Sequence, residues 1–108
     1  MTVKQLAEKY SFEVLSMPDP DKEIKGGYCG DLLSWVMGRA EASNVWLTIM
    51  TNMNIAAVAQ LSDISVVLIC DGARPDENVI STANEKGVNI LLSADTAYKA
   101  AVRISSDI

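Results

Sequence analysis

The feature that most constrains the fold is an alternation of strand-like and helix-like segments, which runs from about residue 45 to the end of the chain. Three apolar runs of strand length, residues 45–50, 65–70 and 88–92, are each followed by a segment with helical spacing of its apolar residues. Such alternation requires right-handed crossovers between parallel strands, with helices on both faces of the sheet. We therefore predict a three-layer α/β/α fold with a mainly parallel sheet of four to five strands.

The residues before this region extend the pattern less regularly. The 108 residues are enough for one hydrophobic core and too few for two, so residues 1–108 are interpreted as a single domain. Gly30 or Asp31 is expected to cap the second helix, Ser93 or Asp95 to cap the last one, and residues 105–108 to fray. The elements predicted here are a helix over residues 2–10, a strand over 12–15, an edge strand over 24–28 and a helix over 31–41.

Charge and the absence of histidine exclude several classes of function. Nine Lys and Arg residues against fourteen Asp and Glu residues give a net charge of −5, which repels nucleic-acid phosphates and anionic lipid headgroups. The chain has no His, which removes the commonest general base and the commonest zinc ligand. No phosphate-loop pattern occurs either. We expect no enzymatic activity, no cofactor, no nucleic-acid partner and no membrane partner.

The two cysteines, Cys29 and Cys70, indicate a reducing compartment. They are too few for a disulfide scaffold and lack the Cys-x-x-Cys spacing, so they are interpreted as reduced, buried thiols. The first nine residues alternate charged with apolar side chains and contain no signal-peptide core, and no apolar stretch is long enough to span a bilayer. The expected location is the cytoplasm.

Two tryptophans, Trp35 and Trp46, favour self-association. Side chains of this size rarely become fully buried in so small a domain unless a second surface covers them. Together with a 49% apolar content, this predicts a homodimer.

Polar side chains cluster where the strand over residues 45–50 runs into the next helix. In a parallel sheet this is the edge where ligands usually bind, and the free amides of a helix N-terminus attract anions. The same Thr and Asn side chains are also good helix caps, so capping alone is an equally physical explanation. The residues of the predicted small-anion site are Gly30 and Asp31 at the neighbouring strand-to-helix corner, with Thr51, Asn52 and Asn54; Thr48 lies beside them.

Acidic residues give no metal site. Asp31 and Asp71 are candidate magnesium ligands or paired acids, but neither has a neighbouring carboxylate at a suitable spacing. Helix capping and turn formation explain both residues.

Several segments resemble the DRTGG-domain family over about residues 10–103. The resemblance is carried by GYCGDLLS at residues 27–34, VWLTI at 45–49 and NIAAVA at 54–59, and it extends through residues 75–77 to 96–98. It implies a parallel-sheet α/β fold related to the amino-terminal domain of HPr kinase/phosphorylase, and a role as a regulatory or dimerisation module. Similar domains occur between the CBS pair and the catalytic part of some inorganic pyrophosphatases.

The resemblance has one departure and one further implication. The five-residue string that names the family is absent and no kinase domain follows, so kinase activity is not carried over. The resemblance implies a partner-dependent role, since some stand-alone relatives accompany iron-only hydrogenase and related redox genes. The leading hypothesis is a non-enzymatic, homodimeric regulatory module that acts through a partner protein in redox or hydrogenase-linked metabolism. The alternatives are a small-molecule sensor that binds a nucleotide or phosphorylated metabolite at the carboxyl ends of the strands, and an enzyme that uses Asp31, Cys29 or Asp71.

Overall fold

A computed structural model describes all 108 residues, and its centre is a five-stranded sheet. The strands are β1 (Glu13–Ser16), β2 (Gly27–Cys29), β3 (Val45–Thr48), β4 (Val66–Ile69) and β5 (Ile90–Leu92). Their order across the sheet is β1-β5-β4-β3-β2. Strands β2 to β5 are parallel and β1 pairs antiparallel with β5, which confirms the predicted mainly parallel sheet.

Five helices form the outer layers. They are α1 (Val3–Tyr10), α2 (Leu33–Arg39), α3 (Asn54–Leu61), α4 (Glu77–Lys86) and α5 (Ala97–Ile104), and a 3₁₀ turn, Ser105–Asp107, follows. Helices α2, α3 and α4 pack on one face of the sheet, and α1 and α5 pack on the other. This arrangement confirms the three-layer α/β/α fold.

The alternation of side chains along the central strands creates the two cores. Trp46 and Val67 point into the core beneath α2, α3 and α4, whereas Val45 and Leu47 point into the core beneath α1 and α5. Every residue of β3 and β4 is buried, as expected for parallel strands covered on both faces.

The cap of α1, the end of α4 and the edge position of β2 are as the sequence predicts. The Thr2 side chain accepts from the Gln5 backbone amide and forms a capping box at the start of α1. Gly87 ends α4 with a positive φ of 74°, a conformation that glycine adopts without steric cost. The short strand β2 lies at the edge of the sheet.

Two predicted caps were wrong. Helix α2 begins at Leu33 after Leu32, which supplies no side-chain cap, and the Asp31 carboxylate instead bonds to Thr48 at the end of β3 and to Ile49 after it. Helix α5 is capped by Thr96, whose hydroxyl accepts from the Lys99 amide.

The expectation that residues 105–108 fray was also wrong. The Asp107 carboxylate forms an ion pair with Lys9 at 2.8 Å and accepts a hydrogen bond from the Tyr10 hydroxyl. That hydroxyl lies 2.9 Å from the Arg103 carbonyl oxygen as well. These contacts fix the 3₁₀ turn against α1.

The large side chains and the thiols divide between core and surface. Trp46 is completely buried, which corrects the expectation that a tryptophan here needs a second surface to cover it, whereas Trp35 remains 54% exposed. Cys70 is buried as predicted, but the expectation was wrong for Cys29, which lies on the edge strand β2 and is exposed.

Candidate functional site

The four parallel strands all end on the same side of the molecule, and the four helices that follow them begin there. Strands β2 and β3 are neighbours in register, with Cys29 opposite Leu47. This register places Gly30 and Asp31 beside the residues that follow β3. The predicted juxtaposition of the two strand-to-helix corners therefore follows from the sheet topology.

Asp31 and Thr48 form the centre of this corner. Oδ1 of Asp31 accepts hydrogen bonds from the Thr48 hydroxyl at 2.7 Å and from the Ile49 amide at 3.0 Å. The Thr48 hydroxyl in turn accepts from the Met50 amide at 3.1 Å. Asp31 therefore joins the loop after β2 to the loop after β3, and its carboxylate places negative charge where an anionic ligand was predicted.

Gly30 has a structural role at the same corner. Its amide donates to the Leu47 carbonyl oxygen at 3.1 Å, and its carbonyl oxygen accepts from the Trp46 indole nitrogen at 2.8 Å. A Cβ atom at this position would lie 2.9 Å from the Tyr28 ring, closer than real Cβ contacts. Any larger residue at this position would therefore force the half-buried Tyr28 ring to move.

The loop from Thr51 to Asn54 continues from the same corner. Oδ1 of Asn52 accepts from the Asn54 amide at 2.9 Å, and the Asn52 carbonyl oxygen accepts from the Ile55 amide at 3.3 Å. Asn52 therefore satisfies part of the first turn of α3. The side chains of Asn52 and Asn54 are exposed and that of Thr51 is half-buried, so a solvent-borne ligand could reach all three.

Sequence reasoning missed two contributors to this corner, the Ile49 amide and the Trp46 indole. Backbone amides carry no residue-type signal, so nothing in the sequence marks Ile49. From sequence alone, Trp46 indicates only self-association, although a buried Trp N–H usually finds a hydrogen-bond partner. Only the β2–β3 register reveals that this partner is Gly30.

The face of the sheet beneath α5 carries an apolar cleft of about 240 Å³. Cys29 and Gly27 of β2 line it together with Ala101 and Ile104 of α5. Burial, with a smaller contribution from the Asp31 carboxylate, raises the pKa of the Cys29 thiol. Burial also raises the pKa of Cys70 to about 11. Both thiols are therefore poorer nucleophiles at neutral pH than a free cysteine.

The molecule has neither a cluster of metal ligands nor a membrane-spanning helix. No three His, Cys, Asp or Glu side chains lie close enough together to hold a metal ion. None of the helices has both the length and the apolar character that crossing a membrane requires.

Comparison with known proteins identifies one family. A model described as "DRTGG domain" matches residues 39–106, well over half of the chain. No curated protein matches the chain.

A solved structure supports the fold. It is the crystal structure of the CBS and DRTGG domains of the regulatory region of Clostridium perfringens pyrophosphatase, complexed with its activator, diadenosine tetraphosphate. The two structures align with a TM-score of 0.75 and 10% sequence identity. The alignment covers 94% of this chain and 44% of the other, so this chain spans less than half of that regulatory region. At this identity the likeness concerns the fold alone.

Proposed function

The chain belongs to the DRTGG-domain family, and from this premise we propose that it is a non-catalytic regulatory module that acts through a partner protein. The observation that carries the proposal is that the polar groups at the strand ends are hydrogen-bonded within the protein. Asp31 and Thr48 bond to each other, and the Gly30 carbonyl oxygen is bonded to Trp46. These groups hold two loops together and do not form a pair of free acid and base groups.

The remaining chemistry of the chain supports a role without catalysis. There is no His to act as general base, and the raised pKa values of Cys29 and Cys70 disfavour thiolate nucleophiles. Nothing resembling a phosphate loop is present to hold a triphosphate.

The proposed module is a cytoplasmic homodimer that serves redox or hydrogenase-linked metabolism. The half-exposed Trp35 supports the dimer, because large aromatic side chains are enriched in interfaces. The metabolic link rests on the family resemblance, since stand-alone relatives accompany hydrogenase and redox genes.

The experiment for partner action uses a purified iron-only hydrogenase, the class of enzyme that the family resemblance implies. Its rate is measured with increasing amounts of the purified chain, and binding is measured by calorimetry. We expect a change in rate that saturates as the enzyme becomes fully bound. Partner action would be contradicted if the enzyme's rate stayed constant and calorimetry detected no binding. Phosphate transfer from Mg-ATP that disappears in Asp31→Asn would contradict the non-catalytic role.

A second candidate function is a small-molecule sensor. The regulatory region of the Clostridium perfringens enzyme was solved with a nucleotide activator, and this supports a nucleotide or phosphorylated metabolite as the ligand class. In this chain the proposed contacts are Gly30, Asp31, Thr51, Asn52 and Asn54. The exposure of the Asn52 and Asn54 side chains at the start of α3 supports this position.

The sensor is tested by NMR titration with diadenosine tetraphosphate, AMP, ATP, phosphate and sulfate. We expect saturable shifts at Gly30, Thr51, Asn52 and Asn54, and shifts centred on α4 would contradict the placement. Asn54→Ala is the informative variant because the Asn54 side chain caps no helix. Asn84→Ala, at an exposed asparagine of α4 outside the proposed contacts, is the matched control, whereas Asn52→Ala should cost about 1 kcal/mol even without ligand through loss of its bond to the Asn54 amide.

A further inference from the structure

Strand β2 leaves one edge of the sheet with its backbone groups unpaired. Val45 donates to the Gly26 carbonyl oxygen at 3.0 Å and Gly30 donates to Leu47 at 3.1 Å. In a parallel pair only alternate residues bond to the neighbouring strand, so the N–H and C=O groups of Gly27 and Cys29 point away from β3. Both residues are exposed.

The opposite edge, β1, is protected in ways that β2 is not. Glu13 of β1 forms an ion pair with Arg74 at 2.7 Å, the register is interrupted between Val14 and Ser16, and Pro18 follows the strand. Charges, irregular register and proline are the devices by which proteins prevent edge pairing. Strand β2, with the sequence Gly-Tyr-Cys, has no charge and no proline, and its register with β3 is regular.

The helix nearest this open edge also has an apolar surface. Helix α2 contacts α3, α3 contacts α4, and α4 contacts β1, so α2 is the end helix of its layer on the β2 side. Leu32 and Trp35 lie three residues apart, on one side of α2, and are 60% and 54% exposed, whereas Met37 lies on the other side of the helix. The Arg39 guanidinium lies over the Trp35 ring at 3.9 Å, and Trp and Arg are the residue types that most often dominate interface energetics.

A stable interface needs both the open edge of β2 and the exposed surface of α2. A specific interface covers about 800 Å² on each partner, whereas β2 contains only three residues. Strand pairing alone is therefore too small, and the adjoining surface of α2 must contribute. A strand edge is self-complementary under a twofold axis, which makes a second copy of this chain the natural occupant.

We propose that two copies of this chain pair through antiparallel β2 strands, which joins their two five-stranded sheets into one and brings the two α2 helices together. The twofold axis passes at Tyr28. Gly27 then exchanges hydrogen bonds with Cys29 of the partner subunit, and Tyr28 faces Tyr28 of the partner subunit as a non-hydrogen-bonded pair. This inference rests on the homodimer proposed above and locates its interface.

The test compares Cys29→Pro with Cys29→Ser by sedimentation equilibrium. Proline removes an outward N–H that β3 does not use, whereas serine keeps it. Because each dimer loses two hydrogen bonds, we expect Cys29→Pro to raise the dimer dissociation constant about tenfold or more. Cys29→Ser should remain at twice the chain mass of 11.7 kDa, and Trp35→Glu should weaken the dimer as Cys29→Pro does. Circular dichroism checks that each variant is folded.

A second variant gives a positive readout. In a Cys29→Ser background, Tyr28→Cys places thiols across the twofold axis at a Cα separation that a disulfide can span. We expect this variant to form a covalent dimer under mild oxidation. A folded Cys29→Pro that dimerises as tightly as Cys29→Ser, or a Tyr28→Cys that stays monomeric, would overturn the β2 interface and leave dimerisation intact. A monomeric wild type would overturn both the β2 interface and the proposed homodimer. It would leave partner action open, because the rate and calorimetry experiment tests that proposal separately.

Discussion

The Thr48 hydroxyl donates a 2.7 Å hydrogen bond to Oδ1 of Asp31, and this contact joins the last residue of β3 to the loop that follows the adjacent parallel strand β2. Thr48 is buried, whereas Asp31 is exposed on its outer side. The contact therefore fixes the geometry of the corner while one side of the carboxylate remains in water.

Removing this hydroxyl should destabilise the protein. We expect Thr48→Val to lower the free energy of unfolding by about 1 kcal/mol, since it removes the bond to Asp31 and leaves the Met50 amide without its acceptor. Urea denaturation of Thr48→Val, Asp31→Ala and the double variant measures the coupling between the two residues. Strictly additive effects would show that the contact contributes nothing to stability.

Two glycine substitutions should have opposite effects. Gly30→Ala would place a Cβ atom 2.9 Å from the Tyr28 ring, so we expect a loss of about 1–3 kcal/mol. Gly38→Ala has open space around the new methyl group within α2 and should stabilise the protein by about 0.5–1 kcal/mol. Thermal unfolding compares them. If the ring is the cause, Tyr28→Ala should make Gly30→Ala less damaging, and an unchanged penalty would contradict that explanation.

The two thiols should differ in reactivity. Cys29 is exposed, so iodoacetamide should alkylate it in the folded protein; because its pKa is raised, the reaction at neutral pH should be slower than with a free cysteine and should speed up as pH rises and the thiolate forms. Cys70 is buried with a pKa of about 11 and should react only after unfolding. Mass spectrometry of digested protein measures both sites, with urea-unfolded protein as the control. Equal labelling of the two thiols at neutral pH would show that β4 and α5 open readily.

Acid should weaken the contact between Asp107 and α1. Hydrogen bonds from Lys9 and then Tyr10 lower the pKa of Asp107, so the folded state binds this proton less tightly than the unfolded state. The resulting stabilisation is present above the ordinary pKa of 3.8 and is lost as pH falls through the lowered value. Urea denaturation at neutral pH and near pH 3 should show a smaller decrease in Asp107→Asn than in the wild type. An identical decrease in both would exclude Asp107 as a contributor.

The regular part of the fold was predictable from sequence because local pattern and tertiary packing agree there. Strands β3, β4 and β5 are apolar runs, and Gly87 ends α4 where the chain needs a left-handed residue. The caps were less predictable because tertiary bonds compete for the same side chains. Asp31 could have capped α2, but the β2–β3 register gives it better donors in Thr48 and Ile49.

The candidate site was predictable in position and less so in the role of each residue. Parallel topology alone brings Gly30 and Asp31 to the end of β3. The approach of the Tyr28 ring to Gly30 and the choice of Asn52 over Asn54 as the side chain bonded to α3 depend on distances that residue types do not encode. The fixed position of residues 105–107 likewise depends on Lys9 and Tyr10, which lie far away in sequence.

The contact of Tyr10 with Arg103, 93 residues later, has a consequence for synthesis on the ribosome. The layer of α1 and α5 is assembled from opposite ends of the sequence, and β1 pairs with β5, the last strand to be made. Strands β2, β3 and β4 with α2 and α3 can associate as soon as they emerge, and α1 can pack against β3 and β4, whereas β1 must wait for its only neighbour, β5. During that interval β1 has no strand to pair with, so the nascent chain should bind chaperones through residues 13–16 until translation is nearly finished.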